Sequence, residues 1–385
     1  MTYIFISLAA YALIMVLFGY IGYKKTKDSS DYLLAGKEMH PIVMALSYGA
    51  TFISTSAIVG FGGAAGQFGL GLIWLTALNI LVGVFIAFVV FGKKTRELGH
   101  RLGTSTMPEL FARRFNSGFM QGYSGLLIFV FMPIYASAVL KGIVDYVSNY
   151  TGLSFGTVLI IVSVLTAVFV VTGGLKGIMY ADAFQGSLMF AGMAFLIIYT
   201  YAMLGGVTRA NEALASLPTM PGVAEQTANL VKGGFAGWTS MPSTGSPVWW
   251  NIVTTLVAGV GIGALAQPQL SVKFMTVKSN RDISRAVLSG GIFILFMTGV
   301  AFTVGALSNV AFYDATGKIA IDAAGSNDGI IPVFIKEFLP DWFGGVFLII
   351  LIAAAVSTLN ALVHTMGTAL GRDFLRQSLK LKAET

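Results

Sequence analysis

The chain has 385 residues, of which 56% are hydrophobic and only 11% carry a charge. Soluble domains carry about 25% charged residues, so this composition excludes a globular enzyme and indicates a protein that crosses a membrane several times. The absence of cysteine excludes disulfides, cysteine-ligated metal centres and thiol catalysis. The three histidines, His40, His100 and His364, are scattered along the sequence and indicate no metal site.

Apolar windows of the length that spans a bilayer recur along the whole sequence. We predict about nine transmembrane helices, at residues 3–22, 41–64, 70–91, 119–147, 155–172, 180–204, 248–271, 286–308 and 342–369. The chain is therefore predicted to be an all-α polytopic membrane protein with a single domain over residues 1–385.

The net charge of +7 arises from basic residues in the loops. It does not indicate a surface that binds polyanions such as nucleic acids. If the N-terminus lies outside, most basic residues, Lys273 among them, fall on the inner side. The outer side receives only Arg209, Lys232, Lys318 and Lys336. This asymmetry obeys the positive-inside rule. We therefore expect a multi-pass protein of the cell membrane, surrounded by lipid, with the end of this chain in the cytoplasm and no nucleic-acid partner.

The first span after the N-terminal helix contains LSYGATFISTSAIVGFGG at residues 46–63, which is unusually rich in glycine and hydroxyl side chains. One explanation is a break in the helix, because unwound backbone at mid-membrane exposes carbonyl oxygens that a hard cation such as sodium requires. The other explanation is close packing of small residues against a neighbouring helix.

Two later features have similar alternatives. Asp182 follows the glycine-rich turn at 173–177, so it is either a functional carboxylate within a span or a residue that favours the N-terminus of its helix. Ser357 and Thr358 lie mid-span, where hydroxyls usually bond to carbonyls of their own helix. If they face the broken segment, the same oxygens can complete a sodium shell.

A second interrupted span starts near Trp249 and contains Gly259, Gly261 and Gly263, followed by AQPQ at 266–269. It comes five spans after the first interrupted one. Two broken spans in corresponding positions are typical of an inverted repeat whose binding site lies between them.

Four segments resemble the sodium:solute symporter family, which includes sodium/proline, sodium/pantothenate, sodium/monocarboxylate and sodium/galactose symporters. They are LSYGATFISTSAIVGFGGAAGQFGLG at 46–71, GGLKGIMYADAFQG at 173–186, AQPQLSVKFMTVKSNRDISRA at 266–286 and AAAVSTLNALVHTMGTALGRDF at 353–374. The resemblance implies the leucine-transporter type of inverted-repeat fold. An extra helix at 3–22 would precede a first repeat at 41–204, and 248–369 would hold the first three helices of a second repeat that is incomplete in this chain.

The resemblance also implies a sodium ion that is co-transported, held by backbone carbonyls and two hydroxyls: Ala50, Ile53, Ala354, Ser357 and Thr358. Some members hold a second sodium on an aspartate at the position of Asp182, together with hydroxyls of the eighth core helix. Ala354 occupies one of those hydroxyl positions here, so we expect one sodium per cycle. The residues expected to contact the solute are Thr55, Ser56, Trp74, Tyr135 and Gln267.

The expected function is sodium-coupled import of a small organic solute by alternating access, carried out by a monomer. The proline branch of the family has an aspartate where this chain has Phe52, whereas the pantothenate and monocarboxylate branch has an aromatic residue there. A monocarboxylate or a pantothenate-like anion is therefore the expected solute. The alternatives are a sodium/proline or other amino-acid symporter, or a solute-sensing module that does not transport. None of these is an enzyme.

Overall fold

The computed structural model describes residues 2–78, 83–263 and 266–378, and every regular element in those ranges is a helix. Six helical stretches in these ranges are long and apolar enough to cross a membrane: Leu8–Lys25, Ser56–Ala77, Gly118–Ser148, Phe155–Met203, Asn280–Thr316 and Asp341–Arg376. The count of nine stays a prediction. Two of the predicted spans, 70–91 and 248–271, include residues 79–82 and 264–265, which lie outside the described residues.

The described α-helices are α1 Thr2–Lys25, α2 Ser29–Leu34, α3 Pro41–Phe52, α4 Phe61–Phe68, α5 Ile73–Leu78, α6 Lys93–Arg101, α7 Met107–Phe115, α8 Gly118–Thr151, α9 Phe155–Met203, α10 Val207–Ser216, α11 Val223–Gln226, α12 Ala228–Lys232, α13 Pro247–Trp250, α14 Gly259–Gly263, α15 Pro268–Ser271, α16 Asn280–Thr316, α17 Ala320–Ala324, α18 Ile330–Phe338 and α19 Asp341–Thr368. Short π-helical segments adjoin several of them, at Ser56–Gly60, Ala87–Gly92, Asn251–Ala258 and Ala369–Ser378, and a 3₁₀ turn spans Val272–Thr276.

Helix α9 is 49 residues long and is interrupted at Gly174, whose φ of 53° and ψ of −167° are not helical. A straight helix of that length would extend about 70 Å, more than twice the roughly 30 Å of a bilayer's hydrocarbon core. The length and the interruption fit two crossings joined at Gly174. This glycine belongs to the turn that the sequence places between the spans 155–172 and 180–204.

Four long helices form the core around the interrupted span. Helix α19 packs against α9, α8 and α3, and α16 packs against α3, α4 and α9. Helix α3 therefore lies between α9, α16 and α19. Its buried face includes Ser47, Ala50 and Thr51, which are at most 1% exposed. This packing brings polar groups of three helices together at α3.

A network of polar side chains joins α7 to the chain just beyond α19. The hydroxyl of Thr106 accepts a hydrogen bond from the Glu109 amide (3.1 Å) and donates one to the Asp373 carboxylate (2.9 Å). Gln121 of α8 donates to the same carboxylate oxygen (2.8 Å), and Arg372 pairs with Glu109 (3.0 Å). The short helix α7 is thereby attached to the end of the most buried of the six candidate spans.

Close packing of glycines explains the second half of the segment at 46–63. A Cβ atom at Gly305 of α16 would overlap the carbonyl oxygen of Gly62, and a Cβ at Gly63 would overlap the carbonyl of Asn327. The two explanations given for this segment therefore apply to different parts of it. The residues after Gly60 pack tightly against their neighbours, whereas the helix is interrupted earlier, at Ile53.

This contact predicts that Gly305→Ala lowers the free energy of unfolding by about 1–3 kcal/mol, because overpacking forces the two backbones apart. The matched control is Gly299→Ala on the same helix, where a Cβ would meet no atom within 4 Å. Thermal unfolding of the purified variants in detergent measures the difference. Equal melting temperatures for the two variants would contradict the close approach of α4 and α16.

Candidate functional site

The candidate site lies where the helix of the first core span is interrupted. Helix α3 ends at Phe52, and Ile53 adopts an extended conformation with φ −83° and ψ 94°. In a continuous helix the carbonyls of Ala50 and Thr51 would accept hydrogen bonds from the amides four residues later. The extended residue directs the chain away, so these carbonyls need other partners in a site that excludes water.

Helix α19 supplies those partners. The Ser357 hydroxyl lies 2.8 Å from the Ala50 carbonyl oxygen, and the Thr358 hydroxyl lies 3.0 Å from that of Thr51. Both hydroxyls also lie 3.1 Å from the Ala354 carbonyl of their own helix. The hydroxyls bond to their own helix and also face the broken segment, and their part in a sodium shell stays a prediction. Each side chain contacts its own helix and the broken segment at once.

The result is a compact group of buried, uncharged oxygen atoms. It contains three carbonyls and two hydroxyls, from Ala50, Thr51, Ala354, Ser357 and Thr358, whose side chains are all at most 1% exposed. Hard monovalent and divalent cations prefer such oxygen ligands. Thr51 is not among the ligands predicted from the sequence. Ile53 is also buried at the break, but the structure describes no hydrogen bond between it and α19.

Three of the residues expected to contact the solute lie beside the break. Thr55 is 2% exposed, and its hydroxyl has no hydrogen-bond partner among the described residues. It faces Gly142 of α8, where an added Cβ would lie 3.2 Å from the hydroxyl oxygen. From the same helix, the partly buried Tyr135 lies next to Ser54. The partly buried Ser56 is on the segment that resumes the helix.

The other two residues expected to contact the solute, Trp74 and Gln267, lie outside this group. Trp74 is 57% exposed, and its indole ring forms no ring contact with the described aromatic residues. Gln267 separates α14 from α15, and its side-chain oxygen accepts a hydrogen bond from Gln269 (2.8 Å). No described hydrogen bond joins either residue to Thr55 or Tyr135.

Asp182 does not cap a helix, so that explanation of the residue is wrong. The second part of α9 resumes directly after Gly174, and Asp182 lies about two turns further on. The side chain is completely buried. One carboxylate oxygen accepts hydrogen bonds from Ser47 (2.8 Å) and Thr51 (3.2 Å) of α3, and it pairs with Lys273 (3.0 Å).

Lys273 is a second residue of this region that sequence reasoning missed. The charge pattern places it at the inner surface as one of many basic loop residues, but its side chain is 0% exposed. It lies in the 3₁₀ turn Val272–Thr276, in which every residue is buried. The sequence does contain a signal, since Lys273 is flanked by Val272, Phe274 and Met275, and a lysine in an apolar stretch is commonly functional.

Comparison with known proteins agrees with this geometry. A family model described as the sodium:solute symporter family matches residues 32–385. The chain belongs to the sodium:solute symporter family. It is therefore a multi-pass membrane transport protein coupled to sodium, and the predicted family and co-transported ion are confirmed.

Two relatives are similar over nearly the whole chain. The osmoregulated proline transporter of Bacillus subtilis is 26% identical over 383 residues, which cover 99% of this chain and 72% of the relative. The sodium/proline symporter of Staphylococcus aureus (strain JH9) is 28% identical over 378 residues, which cover 97% of this chain and 68% of the relative.

A solved structure of a Na⁺-coupled sialic acid symporter in a substrate-bound, outward-open state has the same fold. Its TM-score to this chain is 0.78 at 17% sequence identity, and the match covers 99% of this chain and 75% of that one. The predicted leucine-transporter type of fold is thereby confirmed for this member of the sodium:solute symporter family. The orientation of the termini stays a prediction.

Proposed function

We propose that this chain imports proline, or a closely related amino acid, together with sodium. The observation that carries the proposal is the cluster of buried oxygens between the break in α3 and helix α19. Membership of the sodium:solute symporter family supports sodium as the coupling ion. The two relatives described above, both named as proline transporters and matched over nearly the whole chain, support the solute.

In this proposal sodium is bound by the carbonyls of Ala50, Ile53 and Ala354 and by the hydroxyls of Ser357 and Thr358, with the Thr51 carbonyl as a further ligand. Ligands from α3 and α19 can bind the ion together only when the two helices are in contact. Sodium binding therefore stabilises the broken segment in one arrangement. Release follows when the helices separate toward the inner side, and the membrane potential contributes about 2.3 kcal/mol per charge for each 100 mV.

The solute binds beside the same break. The helix that resumes at Thr55 presents its N-terminus there, and helix N-termini favour carboxylates through their unpaired amide groups and their dipole. We assign Thr55, Ser56 and Tyr135 to this contact, with Trp74 and Gln267 as further candidates. Proline and the monocarboxylates both contain a carboxylate. The helix N-terminus therefore favours solutes that carry a carboxylate and does not distinguish between these two.

One observation favours a second candidate, a monocarboxylate or a pantothenate-like anion. Phe52, the last residue of α3, is half-buried directly before the break. The resemblance places an aspartate at this position in the proline branch and an aromatic residue in the pantothenate and monocarboxylate branch. The phenyl ring contributes an apolar surface in place of a charge.

Uptake into proteoliposomes distinguishes these candidates. With an inward sodium gradient we expect labelled proline to accumulate, and we expect excess unlabelled proline to compete better than lactate or pantothenate. An equal potassium gradient is the control and should drive no accumulation. Accumulation of lactate or pantothenate, with no uptake of proline, would select the second candidate. Binding without accumulation would indicate a solute sensor.

The proposed sodium site predicts that Ser357→Ala raises the half-saturating sodium concentration by about tenfold, since losing one ligand to a cation costs about 1.5 kcal/mol. The matched control is Ser187→Ala, whose exposed hydroxyl bonds to Ala183 of its own helix. Sodium-dependent uptake and thermal stability are measured on both variants. A folded Ser357→Ala protein with unchanged sodium affinity would contradict the assignment.

A further inference from the structure

A buried pair of opposite charges lies next to the proposed sodium site. Asp182 of α9 and Lys273 of the turn after α15 are both completely buried, and the ammonium nitrogen lies 3.0 Å from a carboxylate oxygen. A single buried charge at this depth is strongly unfavourable, so each group needs a compensating partner. The carboxylate therefore already has a cation supplied by the chain itself.

The surroundings of the ammonium nitrogen are those of a bound cation. Besides Asp182, Lys273 donates hydrogen bonds to the carbonyl and the hydroxyl of Ser47, each at 2.8 Å, and it contacts the hydroxyl of Thr51. The two hydroxyls in turn donate to Asp182. A carbonyl, two hydroxyls and a carboxylate are the oxygen types that also coordinate a hard metal cation. The ammonium group occupies the centre of such a set.

Thr51 belongs both to the proposed sodium site and to the surroundings of the Lys273 ammonium group. The hydroxyl of Thr51 contacts Lys273, whereas the carbonyl of Thr51 accepts the hydrogen bond from Thr358. Ser47, which also contacts Lys273, lies about one turn earlier on α3. Lys273 therefore fixes, from one side, the same turn of helix whose carbonyls face α19 on the other side.

We propose that the ammonium group of Lys273 is a resident cation that replaces a second sodium at Asp182, so that this chain binds one sodium ion. The inference rests on the proposed function, because it concerns the ion that drives it. The second carboxylate oxygen of Asp182 has no hydrogen-bond partner among the described residues, so a second sodium would have to bind there. The single negative charge of this carboxylate is already neutralised, and Lys273 would repel the ion.

Binding of radiolabelled sodium to the purified full chain counts the ions without requiring transport. We expect one ion per wild-type chain. Two ions per chain would overturn the inference and leave the proposed function standing. No bound sodium would overturn the proposed function. In proteoliposomes with a tenfold sodium gradient and no membrane potential, one ion limits accumulation of a neutral solute to about tenfold, whereas two ions allow about a hundredfold.

The variant Lys273→Met removes the resident cation and leaves Asp182 unpaired. We expect this variant to bind two sodium ions. The Hill coefficient of its sodium-binding curve should rise from about one toward two. The charge-neutral double variant K273M/D182N is the matched control and should return to one ion with a coefficient near one. It contains no unpaired buried charge, so it remains testable if the single variant does not fold.

The variants separate a resident cation from a merely structural ion pair. A structural pair predicts that Lys273→Met loses stability but still binds one sodium. That result would overturn the inference, as would loss of sodium binding in a folded double variant.

Discussion

The arrangement of the protein depends on one set of contacts, in which two hydroxyls of α19 meet two carbonyls at the interrupted end of α3. An interrupted helix in a membrane is stable only where the freed carbonyls find partners. Ser357 and Thr358 supply them at 2.8 and 3.0 Å, across a separation of 307 residues in the sequence. The break therefore depends on the late helix. The freed carbonyls of α3 need these hydroxyls or a cation in their place, whereas the hydroxyls also have the Ala354 carbonyl of their own helix.

The same contacts explain how an ion can be coupled to a change of shape. The carbonyls and hydroxyls that bond to one another can also bind a cation jointly, because their oxygens already converge. Separating α3 from α19 would disperse the ligands and leave buried polar groups without partners. An ion that binds only to the assembled set stabilises that arrangement by mass action.

The buried pair of Asp182 and Lys273 gives the region a second, permanent electrostatic support. It fixes α3 to α9 and to the turn Val272–Thr276 that follows α15. Thr51 joins the two systems, with its carbonyl toward α19 and its hydroxyl toward Lys273. One turn of α3 thus connects the proposed sodium site with the buried ammonium group of Lys273.

The sequence by itself determined the all-helical membrane class, the interrupted span near Ile53 and the family. These properties follow from composition and from local patterns of glycine and hydroxyl residues. Such patterns can be read without knowing how distant segments pack. The sequence also indicated Ser357 and Thr358 as candidate ligands, because two adjacent hydroxyl residues are unusual in an apolar helix.

Only the tertiary structure decided which groups meet. Nothing local shows that Lys273 is buried against Asp182, that Thr51 provides a carbonyl, or that Trp74 stays exposed while Tyr135 reaches the break. These facts depend on the positions of α8, α9 and α19 around α3. Such long-range packing is set by the summed fit of many side chains, so no short stretch of sequence contains it.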